Sequence, residues 1–350
     1  KGRNMEQIKE YETGNNLENK VYMIDSNILL AMSQFYYKGK CDRGNEVTEN
    51  VKKFILKARN YGVLNNFAIT EVCYDYARNV LNSDQMNKIM IAYDSLVMKM
   101  SENEILNHCG TSIPLAERNL PRTYTFKSIF DCRLPNYFFG KNTEMLGTFY
   151  GVYLYFLKIY SLYFKHISPM QKIDNLFDFM TEEIDIFLGY EFYLAVLLFL
   201  GQQEERGIAA GVFKPMQNPT LDHILNAVID IFQYRMTCVM TDLSNEMKMP
   251  INHIFVTMDK PLQNYIEHNE TYGMVMSENM ITPINHFNVS IGTRYVECWN
   301  DFYEKRYLPC LEKRYIKSHT ELISEDQRKR VTNVIAENIC KYEKEVFGID

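Results

Sequence analysis

The stretch Val21-Tyr22-Met23-Ile24-Asp25-Ser26-Asn27 decides how the rest of this chain reads. Four residues suited to a buried strand run directly into a carboxylate. An acid is costly inside a core. At the carboxyl end of a strand in an open parallel sheet, however, it stands where such folds gather ligands and metals.

The same pattern is expected twice more. Asn66-Phe67-Ala68-Ile69-Thr70 reads as a short apolar strand followed at once by Glu71. His253-Ile254-Phe255-Val256-Thr257 reads as another, leading through Met258 to Asp259. Parallel strands share one polarity, so acids that follow their strands converge on one edge although they lie far apart in sequence.

Between the first two acids, Val51, Phe54, Ile55 and Ala58 fall at helical spacing, and Gly62 stands beyond the end. A strand, a helix and a second strand make a βαβ unit, which predicts parallel neighbours and brings Asp25 near Glu71. Thr70 is expected to cap a helix opening at Glu71, with Cys73, Ala77 and Val80 on its inner side; Asp75, one turn on, reads as a solvated helix acid, with a supporting partner or alternative ligand of the site as the other reading. Residues 81 to 216 read as helical and aromatic, with breakers at Pro114, Pro121, Pro135 and Pro169. Leu221 to Met247 reads as a long helix ended by Pro250. Asn226 and Asp230 share one of its faces, and Asp230 is preferred over Asp242 as a further acid because the helix beyond it is long enough to cross a sheet.

The chain has 350 residues, 46% of them hydrophobic, enough for a sizeable core. Its eight cysteines form no CxxC pair and no Cys/His cluster, which argues against structural zinc and a disulfide scaffold and suits a cytoplasmic setting. The first twenty residues are polar, without the apolar segment of a secretory signal. The most apolar stretches, Gly147 to Phe164 and Ile186 to Leu200, are interrupted by Lys158 and Glu191. They fall short of the roughly 20 apolar residues a membrane span needs, so no membrane contact is expected. A net charge of −6 argues against tight nonspecific binding to nucleic acid over the whole surface.

The order Asp25-Ser26-Asn27 after a first strand, then Glu71, Asp230 and a Thr257-Met258-Asp259-Lys260 ending resembles the PIN-domain ribonucleases. The resemblance covers residues 20 to 80 and 222 to 290. It implies an α/β fold with three layers, α/β/α, around a mainly parallel sheet. Residues 81 to 221 then form a helical insertion and residues 291 to 350 a helical C-terminal extension. It implies a divalent-metal site that hydrolyses RNA, as in a toxin or defence effector, with Asp25, Asp230 and Asp259 as metal ligands. Glu71 becomes a ligand or a positioner of the attacking water, with Asn27, Thr257, Asn226 and Asp242 in support.

The chemistry has its own logic. Clustered carboxylates repel unless a hard cation neutralises them, and Mg2+ or Mn2+ suits an all-oxygen site. Bound metal activates water and stabilises phosphoryl charge. Taken singly, each acid has a structural alternative, and for Asp25 it is the N-cap of the helix that follows.

Two basic sets are candidates for holding RNA. One interleaves Trp299, Tyr303, Tyr307 and Tyr315 with Lys305, Arg306, Lys313, Arg314, Lys317 and Arg328-Lys329-Arg330, though such runs are more often solvated helix faces. The other comprises Lys38, Lys40, Arg43, Lys52, Lys53 and Lys57. Val331, Val334, Ile335 and Ile339 make the last helix amphipathic behind a Ser324-Glu325-Asp326-Gln327 capping box, so it packs on the body or on a second copy as a homodimer. An inhibitory partner protein is compatible with a toxin. Competing readings are a non-catalytic PIN-like interaction module and a metal-dependent DNA nuclease or phosphohydrolase. A haloacid-dehalogenase-like site would want an acid where Asn27 stands.

Overall fold

The computed structural model describes residues 7–13, 19–113, 127–248, 251–277, 280–286, 289–320 and 324–348. Pro114, Pro121 and Pro250 lie outside the described residues, as do the side chains of Tyr315, Lys317 and Arg328. The chain is mixed α/β and 69% helical, and it divides into two units.

Residues 1–126, 132–140 and 233–263 make the first unit. Its sheet consists of β1 (Lys9–Glu12), β2 (Asn19–Ile24), β3 (Gly62–Leu64) and β6 (Ile251–Thr257), in the order β1-β6-β2-β3. β2 runs parallel to both β3 and β6, while β1 closes one edge antiparallel to β6. Register explains the burial. Tyr22 lies beside Ile254 and Ile24 beside Val256, so alternate residues of the two strands share one apolar face. That face packs with Ile28, Leu29 and Phe35 of α1 (Ser26–Lys38), Val51, Phe54 and Ile55 of α2 (Asn45–Ala58) and Ala68 and Val72 of α3 (Asn66–Cys73). On the opposite face Met23 pairs with Phe255, whose ring meets Tyr234 at 5.8 Å.

Two expectations are corrected here. Asn66–Thr70 is not a strand but most of helix α3, so Thr70 is not an N-cap and Glu71 lies in that helix's last turn. The spacing of Ala68, Ile69, Val72 and Cys73, all buried, is helical, and the Ile69 N–H donates to the Asn65 carbonyl at 2.8 Å. The strand before it is Gly62–Leu64, three residues long and therefore too short to leave a period of its own. The chain then turns through a small hairpin, β4 (Tyr74–Asp75) and β5 (Val80–Leu81), where a helix is expected, and Asp75 is buried there rather than solvated. Its carboxylate accepts from the Arg78 N–H at 3.1 Å. Helices α4 (Ser83–Asp94), α5 (Glu102–Leu106) and α6 (Leu134–Phe139) also belong to this unit.

The second unit comprises residues 127–131, 141–232 and 264–350. It holds α7 (Thr143–Tyr163), α8 (Pro169–Asp178), α9 (Gly189–Leu200) and α10 (Gln203–Phe213), and it shares α11 (Leu221–Glu246) and α12 (Lys260–His268) with the first unit. An antiparallel pair, β7 (Glu270–Ser277) and β8 (Met280–His286), precedes α13 (Val296–Phe302), α14 (Leu308–Thr320) and α15 (Glu325–Phe347). Every residue of α9 is buried. Among the described residues no helix is long and apolar enough to cross a membrane.

α15 packs against α7 within the same chain, behind the expected Ser324 and Gln327 capping box. Val331, Ile335, Ile339 and Tyr342 are buried there. Lys158 Nζ donates to the Tyr342 hydroxyl at 2.6 Å, and Ser161 donates to Glu345 at 2.6 Å. Burial pushes the Lys158 ammonium below its ordinary pKa. Glu343 accepts from the Ile129 N–H and the Tyr153 hydroxyl, each at 2.8 Å. The apolar face that could have paired two copies is therefore covered by the chain itself.

Candidate functional site

Two neighbouring parallel strands end on acids. β2 delivers Asp25 and β6 delivers Asp259, and the Asp25 N–H donates to the Val256 carbonyl at 3.0 Å, locking the two strand ends together. Asp25 is 6% exposed. One of its oxygens accepts from the Ile28 N–H at 2.8 Å, which makes it the N-cap of α1, the structural role the sequence allowed for. The other accepts a short hydrogen bond from the Thr257 hydroxyl.

Thr257 is fully buried and serves both acids. Its hydroxyl also accepts from the Asp259 N–H at 2.9 Å, while its carbonyl accepts from Gln263 Nε2 at 2.9 Å. Asp259 in turn accepts from the Leu262 N–H at 2.9 Å at the start of α12. Both aspartates thus sit at helix N-termini, where backbone N–H groups and the helix dipole favour negative charge.

Glu71 comes from α3 and accepts from Gln233 Nε2 at 3.2 Å. Gln233 is buried, and neither motif nor spacing singles it out. The one available signal is an amide placed directly after the apolar pair Ile231 and Phe232 of α11.

The electrostatics tie the three acids to one locality. Asp25 is pushed up to about 7, chiefly by burial. The hydrogen bonds from Thr257 and Ile28 pull it down, and the charges of Glu71 and Asp259 push it up again. Asp25 therefore feels both of the acids that follow β3 and β6.

Other expected members fall elsewhere. Asp230 and Asn226 belong to the second unit, where Asp230 lies 3.4 Å from Lys214 Nζ. Asp242 belongs to the first unit, one turn before the end of α11. The part of α11 that reaches Glu71 does so through Gln233, three residues beyond Asp230. Asn27, in the first turn of α1, accepts from Arg43 Nη2 at 3.4 Å.

The two basic sets differ. In the C-terminal set Trp299 and Tyr307 are buried, and Tyr307 stacks on Tyr303 at 5.3 Å. Lys305 pairs with Asp301, Arg306 with Asp174 and Asp178, and Arg314 with Asp185. Trp299, Tyr307, Arg306 and Arg314 thus have partners within the second unit, while Lys305, Lys313, Lys329 and Arg330 are exposed. In the other set Lys38, Lys52 and Lys57 pair with Asp42, Glu49 and Glu10, while Lys40, Arg43 and Lys53 are exposed.

The donor set is all oxygen, the kind a hard cation takes. Among the described residues no three of His, Cys, Asp and Glu stand close enough to share one ion. Mg2+ needs no such cage, since it is commonly held through one or two carboxylates with waters and substrate phosphate completing the shell. Each Asp25 oxygen uses one hydrogen bond and retains a further lone pair. No family model, curated protein or solved structure matches this chain.

Proposed function

We propose that the first unit is a metal-dependent endoribonuclease of the PIN kind. Supporting this are the parallel strands β2, β3 and β6, the acids that follow them, and above all one observation. A buried carboxylate at the carboxyl end of β2 is held near neutrality by burial and by two neighbouring acids. A structural carboxylate is ordinarily paired with a cation. Here the charged neighbours that push it up, Glu71 and Asp259, are themselves acids, which is the environment a divalent ion would relieve.

In this reading Asp25 and Asp259 hold Mg2+ or Mn2+. The ion supplies an activated water and stabilises charge on the phosphoryl oxygens. Thr257 holds the carboxylate of Asp25 and the backbone N–H of Asp259 through its single hydroxyl. Glu71, kept in place by Gln233, accepts the proton of the attacking water or orients it.

A second reading has its own support. Asp25 and Asp259 both cap helices, so a non-catalytic PIN-like module would retain them for folding alone. Cleavage of a labelled single-stranded RNA and its DNA counterpart in Mn2+, Mg2+ and EDTA separates the two. Asp25→Asn and Asp259→Asn keep the capping oxygen and remove the charge. Metal-dependent RNA cleavage that falls at least a hundredfold in both variants is expected, whereas no cleavage and no metal binding by calorimetry would leave the module.

A further inference from the structure

Thr257 is the hub of the acidic edge, and β6 stops at it. Its one hydroxyl donates to Asp25 and accepts from the Asp259 N–H at 2.9 Å, so the place of that oxygen decides how the two aspartates lie. On the β2 side the pairing ends one residue earlier, where Val256 meets Ile24. Something beyond the β2 ladder must hold Thr257 still.

Gln263, one turn into α12, supplies that hold. Its side chain is 1% exposed, and its Nε2 donates to the Thr257 carbonyl at 2.9 Å and to the Gln7 carbonyl at 2.8 Å. Gln7 lies two residues before Lys9, the β1 residue opposite Thr257 in register. The main chain of Gln263 is engaged as well. Its N–H donates to the Asp259 carbonyl at 2.8 Å, and its carbonyl accepts from the Tyr11 hydroxyl at 3.3 Å. One residue thus joins the approach to β1, the end of β6 and the first turn of α12.

The chemistry of the position is narrow. A primary amide carries two N–H donors, and here each meets a carbonyl. A carboxylate or a thioether of the same length offers neither. A buried carbonyl left without a donor is costly, so without the amide Thr257 turns to find another partner and its hydroxyl turns with it. Groups that orient metal ligands matter nearly as much as the ligands, their loss costing roughly 10- to 100-fold in metal affinity or activity.

We propose that Gln263 is a positioning residue of the acidic site: it clamps the Thr257 carbonyl and so sets the hydroxyl that Asp25 and the Asp259 N–H share. The assignment rests on the nuclease reading above.

The test uses the complete chain with Gln263→Met, which keeps the length of the side chain and removes both donors. Steady-state cleavage of a single-stranded RNA in saturating Mn2+ is read alongside calorimetric Mn2+ binding without RNA. Gln263→Met should lower kcat and weaken Mn2+ binding about tenfold each, with KM for RNA unchanged. Tyr11→Phe is the control. It removes the hydroxyl bonded to the Gln263 carbonyl, leaves the amide alone, and should keep the parent's kcat and Mn2+ affinity. Thr257→Val completes a double-mutant cycle: once the hydroxyl is gone, Gln263→Met should cost no further activity or Mn2+ affinity. Gln263→His, which retains one ring N–H, takes the place of Gln263→Met if that variant does not fold. Suppose the parent cleaves RNA. If Gln263→Met then keeps its kcat and Mn2+ affinity, if Tyr11→Phe loses as much, or if the losses add in full to those of Thr257→Val, the Gln263 assignment falls and the nuclease stands. If the parent binds Mn2+ without cleaving RNA, and the Gln263 and Thr257 losses in Mn2+ affinity do not add, the nuclease reading falls and the positioning role stands. A parent that neither cleaves RNA nor binds Mn2+ overturns both.

Discussion

At the scale of the residue, Asp25 combines a local role with an electrostatic cost. Its folded pKa lies near 7 and its unfolded value near 3.8. Between those values the folded chain binds more protons than the unfolded one, so this group makes stability fall as pH rises through that window. Above pH 7 the full penalty applies, at most about 4 kcal/mol for a shift of this size. Asp25→Asn keeps an oxygen for the Ile28 N–H and an amide to donate to Thr257, and it carries no charge. The variant should therefore gain on the parent in urea midpoint from pH 4 to pH 8, with the difference greatest at pH 8. Addition of Mn2+ at pH 8 should close the gap by stabilising the parent alone. Equal midpoints for parent and variant at pH 8 without metal would show that Asp25 is not strained by its surroundings.

At the scale of the element, the two acids are inseparable from the helices they start. Asp259 accepts from the Leu262 N–H in the first turn of α12, and loss of such a cap costs about 1 kcal/mol. Asparagine caps as well as aspartate does, and alanine does not cap at all. Asp259→Ala should therefore lower the unfolding free energy by about that amount, while Asp259→Asn leaves it within error. Cleavage should be lost in both. Activity that tracks the cap, surviving in the asparagine variant and falling in the alanine one, would make Asp259 a folding residue. The element scale also explains the misread at Glu71. Asn66 to Thr70 is apolar enough for a strand, and only its continuation through Val72 and Cys73 shows the helical period.

At the scale of the whole molecule, two units have separate cores, and the last helix belongs wholly to the second. Ile339 is fully buried where α15 meets α7. A carboxylate there would be buried without a partner, at a cost of several kcal/mol. Ile339→Asp should lower the melting temperature by about 10 °C, independent of protein concentration. Sedimentation tests the rival arrangement directly. A parent dimer that Ile339→Asp turns into a monomer of unchanged melting temperature would mean that this face joins two copies.

The sequence alone determined a good deal about the first unit. Val21 to Ile24 and Ile254 to Val256 are short apolar runs of the kind a buried strand uses, and each is followed by an acid within three residues. Strand polarity then brought Asp25 and Asp259 to one edge, because parallel neighbours end together. The α15 capping box and its apolar stripe were equally legible, since a cap and a 3.6-residue period are local patterns. Tertiary structure alone decided what depends on packing over distance. It set Gln233 of α11 beside Glu71, since which face of a 26-residue helix turns inward is set by its neighbours and not by its own spacing. It turned Phe302, Arg306 and Tyr307 of the C-terminal run inward, because they found partners on α8 and α9. It drew Arg43 back along α1 to Asn27, because two glycines at positive φ reverse the chain, and the loop's path over the helix surface is recorded in no periodicity.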